Sequence, residues 1–246
     1  MKIIFQTLLV LVVVIGLSHC NANYTTTSYT AEYNLLDSTM TGTSASLESI
    51  IAPYNDGLES QMNTVINTTS EPMTKARPEG ILSNFTADLV FEEVNELEDF
   101  EGDMCLLNHG GLRSSLPKGN IKIGDIYQLM PFDNEAVVVE LSGEKIIEIA
   151  FYLADSGGEP VSNIQLNLNS PQLMTINGRP VNKSKTYKVI TSDYLANGGD
   201  RMTFFENPLS IQKTGLKIRD LIIEYIKEEK EVGQTLKSEL DGRISQ

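Results

Sequence analysis

Tryptophan is absent from this 246-residue chain, and histidine and cysteine occur only twice each. Positive charge is scarce too: 19 Lys and Arg stand against 33 Asp and Glu, a formal net charge of −14. A nucleic-acid polymer is therefore excluded as the ligand, because neutralising a phosphate backbone needs clustered Lys and Arg. A small anion, which needs only a few placed arginines, is not. With His19 and His109 as the two imidazoles, a His-rich dinuclear metal site is excluded as well, since neutral imidazole is the usual nitrogen ligand for Zn, Mn or Fe. An all-oxygen Mg or Ca site stays open.

One long apolar run is present. It spans residues 3–17 behind a lone Lys2 and ends in Leu17-Ser18-His19-Cys20. The run is shorter than the roughly 20 residues a spanning helix needs, and no basic stop-transfer flank follows, so residues 1–19 read as an export signal. Cys20, with Leu17 three positions before it, resembles the lipobox of bacterial lipoproteins, in which the cysteine is acylated and becomes the mature N-terminus. His19 departs from the small residue preferred there, and ordinary cleavage or an uncleaved anchor are the alternatives. The expected location is a lipid anchor on a bacterial membrane, on the periplasmic or surface side, or the periplasm if Cys20 is not lipidated. Cys105, left without a partner within Met104-Cys105-Leu106-Leu107, then reads as a small core hydrophobe rather than a reactive thiol.

Residues 20–46 are rich in Thr, Ser and Asn and read as a flexible tether, with a short strand around residues 29–35. From Leu47 onward the apolar positions Leu47, Ile50, Ile51, Tyr54, Leu58, Met62 and Val65 follow helical spacing. A second helix is predicted over residues 82–94. Strands are predicted over residues 104–107 and 136–141, then a helix over 144–153 entered through Ser142-Gly143. Alternation at Ile164, Leu166 and Leu168 and around Tyr187 and Val189 predicts further strands, with Asn177-Gly178 as a hairpin turn. A last helix is predicted over residues 216–231. No repeat or linker divides residues 47–246, which read as one α/β domain of mixed strand order.

Two glycine-bearing loops follow predicted strands: Asn108-His109-Gly110-Gly111-Leu112-Arg113 and Tyr194-Leu195-Ala196-Asn197-Gly198-Gly199-Asp200. Alone, each is most simply a turn. They occur in order with Ser83-Asn84-Phe85-Thr86-Ala87-Asp88, Gly124-Asp125-Ile126-Tyr127 leading to Met130-Pro131-Phe132, Val138-Val139-Glu140-Leu141-Ser142-Gly143, and Asp241-Gly242-Arg243-Ile244. This succession resembles the C-terminal domain of 5′-nucleotidases over residues 47–246. The resemblance implies a layered α/β/β/α fold with mixed sheets that binds the nucleoside, while a metallophosphoesterase domain carries two metals and the phosphate chemistry.

The resemblance also implies site residues. Phe132 and Tyr194 match the rings that clamp the base; Asp200 matches the carboxylate that accepts from the ribose hydroxyls. Asn108 and Arg113 match polar ligand contacts, and Arg77, offset by one residue with Lys75 competing, matches another. Asn163 is carried over as a ligand contact although the family usually has Gly there. His109 and Arg201 also replace Gly, and each of these changes would narrow the pocket or alter the ligand. No D-x-H, G-N-H-D or G-H-x-H run is present, so neither catalytic residues nor metal ligands are expected in this chain. It would hold no cofactor itself; divalent metals would belong to a separately encoded metallophosphoesterase partner, with which it would dephosphorylate nucleoside 5′-phosphates. The alternatives are a non-catalytic nucleoside-binding surface lipoprotein and a structural lipoprotein whose pocket has decayed.

Overall fold

The computed structural model describes Ser28, Thr30 and residues 45–246. The expected signal, Cys20 and nearly all of the tether and its short strand therefore lie outside the described residues. Residues Ser49–Gln246 form one compact unit.

The first helix of the described residues, α1 (Ala45–Met62), is where spacing predicts it, but none of its side chains is buried. Leu47, Ile50, Ile51, Tyr54 and Leu58 are all exposed, Tyr54 by 77 %. Hydrophobic spacing identifies the face a helix would bury; it does not supply the element that covers it. The expected continuation to Val65 is also corrected. Asn63 and Thr64 bond back to the carbonyls of Glu59 and Ser60, and Val65 opens strand β1 (Val65–Thr69).

Helix α2 (Ile81–Glu96) leads to β2 (Met104–Leu106). Strand β3 (Gly119–Lys122), antiparallel to β1, runs into the short helix α3 (Ile123–Leu129). Next come β4 (Glu135–Ser142) and α4 (Gly143–Ser156), the latter capped by the Ser142 hydroxyl, which accepts from the Lys145 amide. Short strands β5 (Val161–Ser162), β6 (Ile164–Asn167), β7 (Thr175–Ile176) and β8 (Arg179–Pro180) follow. The β7–β8 turn is Asn177-Gly178, both left-handed, the two-residue hairpin chemistry the dipeptide announces. Strand β9 (Thr186–Ser192), the single-turn helix α5 (Asp193–Ala196), β10 (Ser210–Lys217), α6 (Ile218–Glu231) and β11 (Ile244–Ser245) complete the order. Leu216, expected to start the last helix, belongs to β10.

The central sheet has five strands in the order β10-β4-β9-β2-β5, with β2 parallel to β9 and the other pairs antiparallel. Period two sorts its side chains into two cores. Cys105, Ala136, Val138 and Ile190 face α2 and α6, packing with Leu82, Phe85, Leu89, Ile222 and Ile226. Met104, Leu106, Val137, Val139 and Val189 face the opposite way, onto Ile146, Ile149 and Leu153 of α4 and Ile164 and Leu166 of the four-stranded sheet β11-β6-β7-β8. Burial on both faces is why β4 is a continuous apolar run. Each such Val or Ile side chain contributes about 1.5–3 kcal/mol of burial free energy. The expected α/β class with mixed sheets is the fold observed.

Strand directions place the site. Parallel β2 and β9 end at the same edge of the sheet, where antiparallel β4 begins, with Ala136 opposite Ser192 and Glu135 opposite the last residue of β10, Lys217. The loops after β2 and β9, the loop before β4 and the start of α6 therefore meet at one edge.

Candidate ligand-binding site

A cavity of about 290 Å³ opens where those loops meet, and Asn108, Arg113, Phe132, Tyr194 and Asp200 all line it. Phe132 is 44 % exposed and Tyr194 47 % exposed, so both rings face solvent from the cavity instead of packing into the core. An aromatic pair left open on a concave surface is the arrangement expected where a flat apolar ligand is to be stacked.

The loop after β2 is held from below. The Lys75 ammonium donates to the carbonyls of His109 (3.0 Å) and Leu112 (2.7 Å), and the His109 amide donates to Glu159 Oε2 at 2.5 Å. Burial pushes the Glu159 carboxyl above its ordinary pKa, opposed by the His109 amide and Arg77. A Cβ at Gly111 would stand 2.6 Å from Asn108 Oδ1, so a side chain there would push the Asn108 amide out of its place beside Asp200. Arg113 leaves the turn exposed, with one long contact of 3.4 Å to the Gly110 carbonyl, so its fork is free to meet ligand oxygens.

Asp200 joins the two glycine loops. Asn108 Nδ2 donates to its Oδ2 at 2.6 Å and the Tyr194 hydroxyl donates to its Oδ1 at 2.9 Å. The Asp200 amide in turn donates to Tyr194 Oη (3.3 Å), and the Tyr152 hydroxyl donates to the Asp200 carbonyl (3.2 Å). Asp200 and Arg201 are both left-handed, with φ of 51° and 61°, which turns the carboxylate toward the cavity side of the loop. The Tyr194 ring lies directly over Gly199, where a Cβ would stand 2.5 Å from Cε1.

Phe132 is fixed through its neighbours. Arg219, at the start of α6, donates to the carbonyls of Met130 (3.4 Å) and Phe132 (3.3 Å) and pairs with Asp133, and its guanidinium lies 4.3 Å from the centre of the Tyr127 ring. Lys217 meets the other Asp133 oxygen at 2.9 Å. These bonds from Lys217 and then Arg219 hold the Asp133 carboxyl below its ordinary pKa. Asp193 Oδ1 accepts from Asn134 Nδ2 and from the amides of Glu135 and Tyr194, linking the loops that carry the two rings.

Two expected contacts lie elsewhere. Arg77 lines an adjoining recess beside His109, Glu159 and Arg201, where it pairs with Glu159 at 2.6 Å and donates to the Ser156 carbonyl. Asn163 is not brought to the cavity: it is left-handed, its side chain donates to the Asp103 carbonyl at 2.7 Å, and it borders a separate cleft with Asn177 and Arg243. Among the described residues His109 Nε2 is buried and finds no partner, and burial, reinforced by Lys75 and Arg77, lowers its pKa. Cys105 is fully buried and its thiol pKa is raised by that burial, as a core residue's would be. Arg219, Asp193, Glu159 and Tyr152 are not legible as site residues from sequence, where each is a charged or polar residue in an ordinary helix turn or loop.

Fold and cavity together define an α/β domain with a cavity at the strand ends of a mixed sheet, lined by two solvent-facing rings. The chain belongs to the 5′-nucleotidase C-terminal domain family, which it matches over residues 62–207. It is 23 % identical over 195 residues to the silent protein UshA(0) of Salmonella typhimurium, covering 73 % of this chain and 34 % of that protein. It is 28 % identical over 131 residues to protein UshA of Escherichia coli, covering 50 % and 24 % respectively. The chain thus spans about a third or less of the length of these relatives. The crystal structure of a 5′-nucleotidase precursor from Thermus thermophilus has the same fold at a TM-score of 0.67 and 24 % identity, covering 80 % of this chain and 42 % of that one.

Proposed function

We propose that this chain holds the nucleoside part of a nucleoside 5′-phosphate for a 5′-nucleotidase reaction whose metal-dependent step is carried out by a separately encoded metallophosphoesterase. The observation that carries the reading is the grouping of Phe132, Tyr194, Asn108 and Asp200 on one cavity of about 290 Å³ in a member of this family. The rings stack the base, Asp200 accepts from the ribose hydroxyls, and Arg113 meets oxygens toward the phosphate. With an overall charge of −14, a phosphate must be met locally, by Arg113, and by Arg77 in the adjoining recess only if it gives up its bonds to Glu159 and Ser156. Divalent metal belongs to the partner, where it would activate water and polarise the phosphoryl oxygens.

Phosphate release from AMP measured with the chain alone, with the candidate partner, and with both in the presence of Mn or Zn tests the assignment. Turnover is expected to rise only in the combination. Full turnover by the chain alone would refute it, and AMP binding without any gain in turnover would favour a non-catalytic nucleoside-binding protein.

Export with acylation at Cys20 belongs to the same proposal. Cys20→Ser is expected to move the protein from the membrane fraction to the soluble fraction and to remove an incorporated acyl label. Unchanged membrane partition and labelling would exclude that anchor.

A further inference from the structure

We infer that the Tyr194 hydroxyl is a positioning group for sugar recognition: it holds Asp200 in the orientation that accepts a vicinal diol, so this residue's ring and hydroxyl serve different parts of the ligand. The inference rests on the nucleoside reading of the cavity and assigns to the phenol oxygen a role distinct from stacking.

The geometry is specific. The phenol is joined twice to the same residue, donating to Asp200 Oδ1 at 2.9 Å and accepting from the Asp200 amide at 3.3 Å. Asn108 holds the other carboxylate oxygen at 2.6 Å, so both oxygens are bonded and the carboxylate plane is set. An ionised carboxylate offers about four acceptor sites, and these contacts occupy one on each oxygen. One acceptor site per oxygen is left, which suits the paired hydroxyls of a ribose. Asp200 is itself exposed and stands on a left-handed turn, so without the phenol its side chain would be held by Asn108 alone and the second oxygen would lose its tie. Ordering it before the ligand arrives removes that cost from binding. Gly199 permits the arrangement, because the ring lies where a Cβ would stand 2.5 Å away.

Removing the hydroxyl while keeping the ring separates the two roles. Adenosine and 2′,3′-dideoxyadenosine would be titrated into the wild-type chain, Tyr194→Phe, Asp200→Asn and the double variant, with thermal unfolding recorded for each. The wild type is expected to prefer adenosine. Tyr194→Phe should weaken adenosine about fivefold, the scale of one hydrogen bond, and leave dideoxyadenosine within about twofold. Added to Asp200→Asn, it should cost nothing further. Equal weakening of both nucleosides, no change, or tighter adenosine binding by Tyr194→Phe would each overturn the inference, the last by showing that the phenol competes with the sugar. A wild type that binds both nucleosides equally overturns the inference while leaving the base clamp intact. A wild type that binds neither removes the nucleoside reading itself.

Discussion

Alanine at Phe132 is expected to weaken adenosine binding about tenfold or more, and alanine at both Phe132 and Tyr194 to abolish it at accessible concentrations. Each base-stacking ring contributes about 1–3 kcal/mol, and about 1.4 kcal/mol is a factor of ten in affinity. The rings are 44 % and 47 % exposed, so truncating them opens no cavity in either core. The melting temperature should therefore stay near that of the wild type, which separates this outcome from unfolding. Superimposable titrations for the wild type and the double variant would mean the cavity is a vestige. The effect on AMP should match that on adenosine, since the rings are assigned to the base, which the two ligands share.

Much of the fold is legible in the sequence for one physical reason: the elements that face two cores have few ways to be arranged. Residues Ala136, Val137, Val138 and Val139 are apolar without interruption because successive side chains go to opposite cores. Helix α4 shows a single stripe, Ile146, Ile149, Ala150 and Leu153, because it covers one face only. Strand β10 carries no such signal. Its sequence, Ser-Ile-Gln-Lys-Thr-Gly-Leu-Lys, is exposed at nearly every position, and its existence depends on the backbone ladder to β4 at the sheet edge. The ribbon of β1 and β3 differs: it buries Ile66 and Ile121 in a core, but strands of five and four residues with one buried apolar side chain each are too short to show alternation. Helix α1 fails in the opposite sense, with its apolar stripe correctly spaced and left uncovered.

The site divides along similar lines. Residues in the glycine loops can be assigned because the turns impose their residue types: Gly111 avoids the Asn108 side chain, and Gly199 makes room for the Tyr194 ring. Asn163 is carried over by position in a motif, yet its left-handed backbone sends the side chain to Asp103. The residues that hold the loops are hidden because their partners are distant in sequence. Glu159 meets the His109 amide 50 positions away, and Arg219 meets Phe132 across 87. A buried charge satisfied by a remote loop looks, in sequence, like a solvated one.

Arg219 is consequently the single position outside the cavity lining whose replacement should most affect binding. Its side chain is only 7 % exposed, and its guanidinium serves two carbonyls, two carboxylates (Asp133, and Asp220 at 3.9 Å) and one aromatic face at once. Lysine has the charge but not the planar fork, so Arg219→Lys can keep the Asp133 pair or the carbonyl contacts, not both. We expect it to weaken adenosine about tenfold through freedom of the Phe132 ring, an amount corresponding to roughly 1.4 kcal/mol. Arg219→Met additionally leaves the Met130 and Phe132 carbonyls without donors, and should lower stability by about 1–3 kcal/mol for each carbonyl that stays dry. The pH dependence follows from Asp133, whose folded pKa is depressed by Lys217 and Arg219. Its contribution is fully present above the ordinary aspartate pKa and is lost as pH falls through the lower folded value, so the Asp133 pairs should add no pH dependence to binding near neutrality. Nucleoside titrations and thermal melts of the two variants decide the matter. If Arg219→Lys binds adenosine with wild-type affinity, the Phe132 loop is held sufficiently by the Asp193 side chain, the Ile218 amide and the Lys217–Asp133 pair. If both variants lose stability but, where folded, bind normally, Arg219 serves the core and not the clamp.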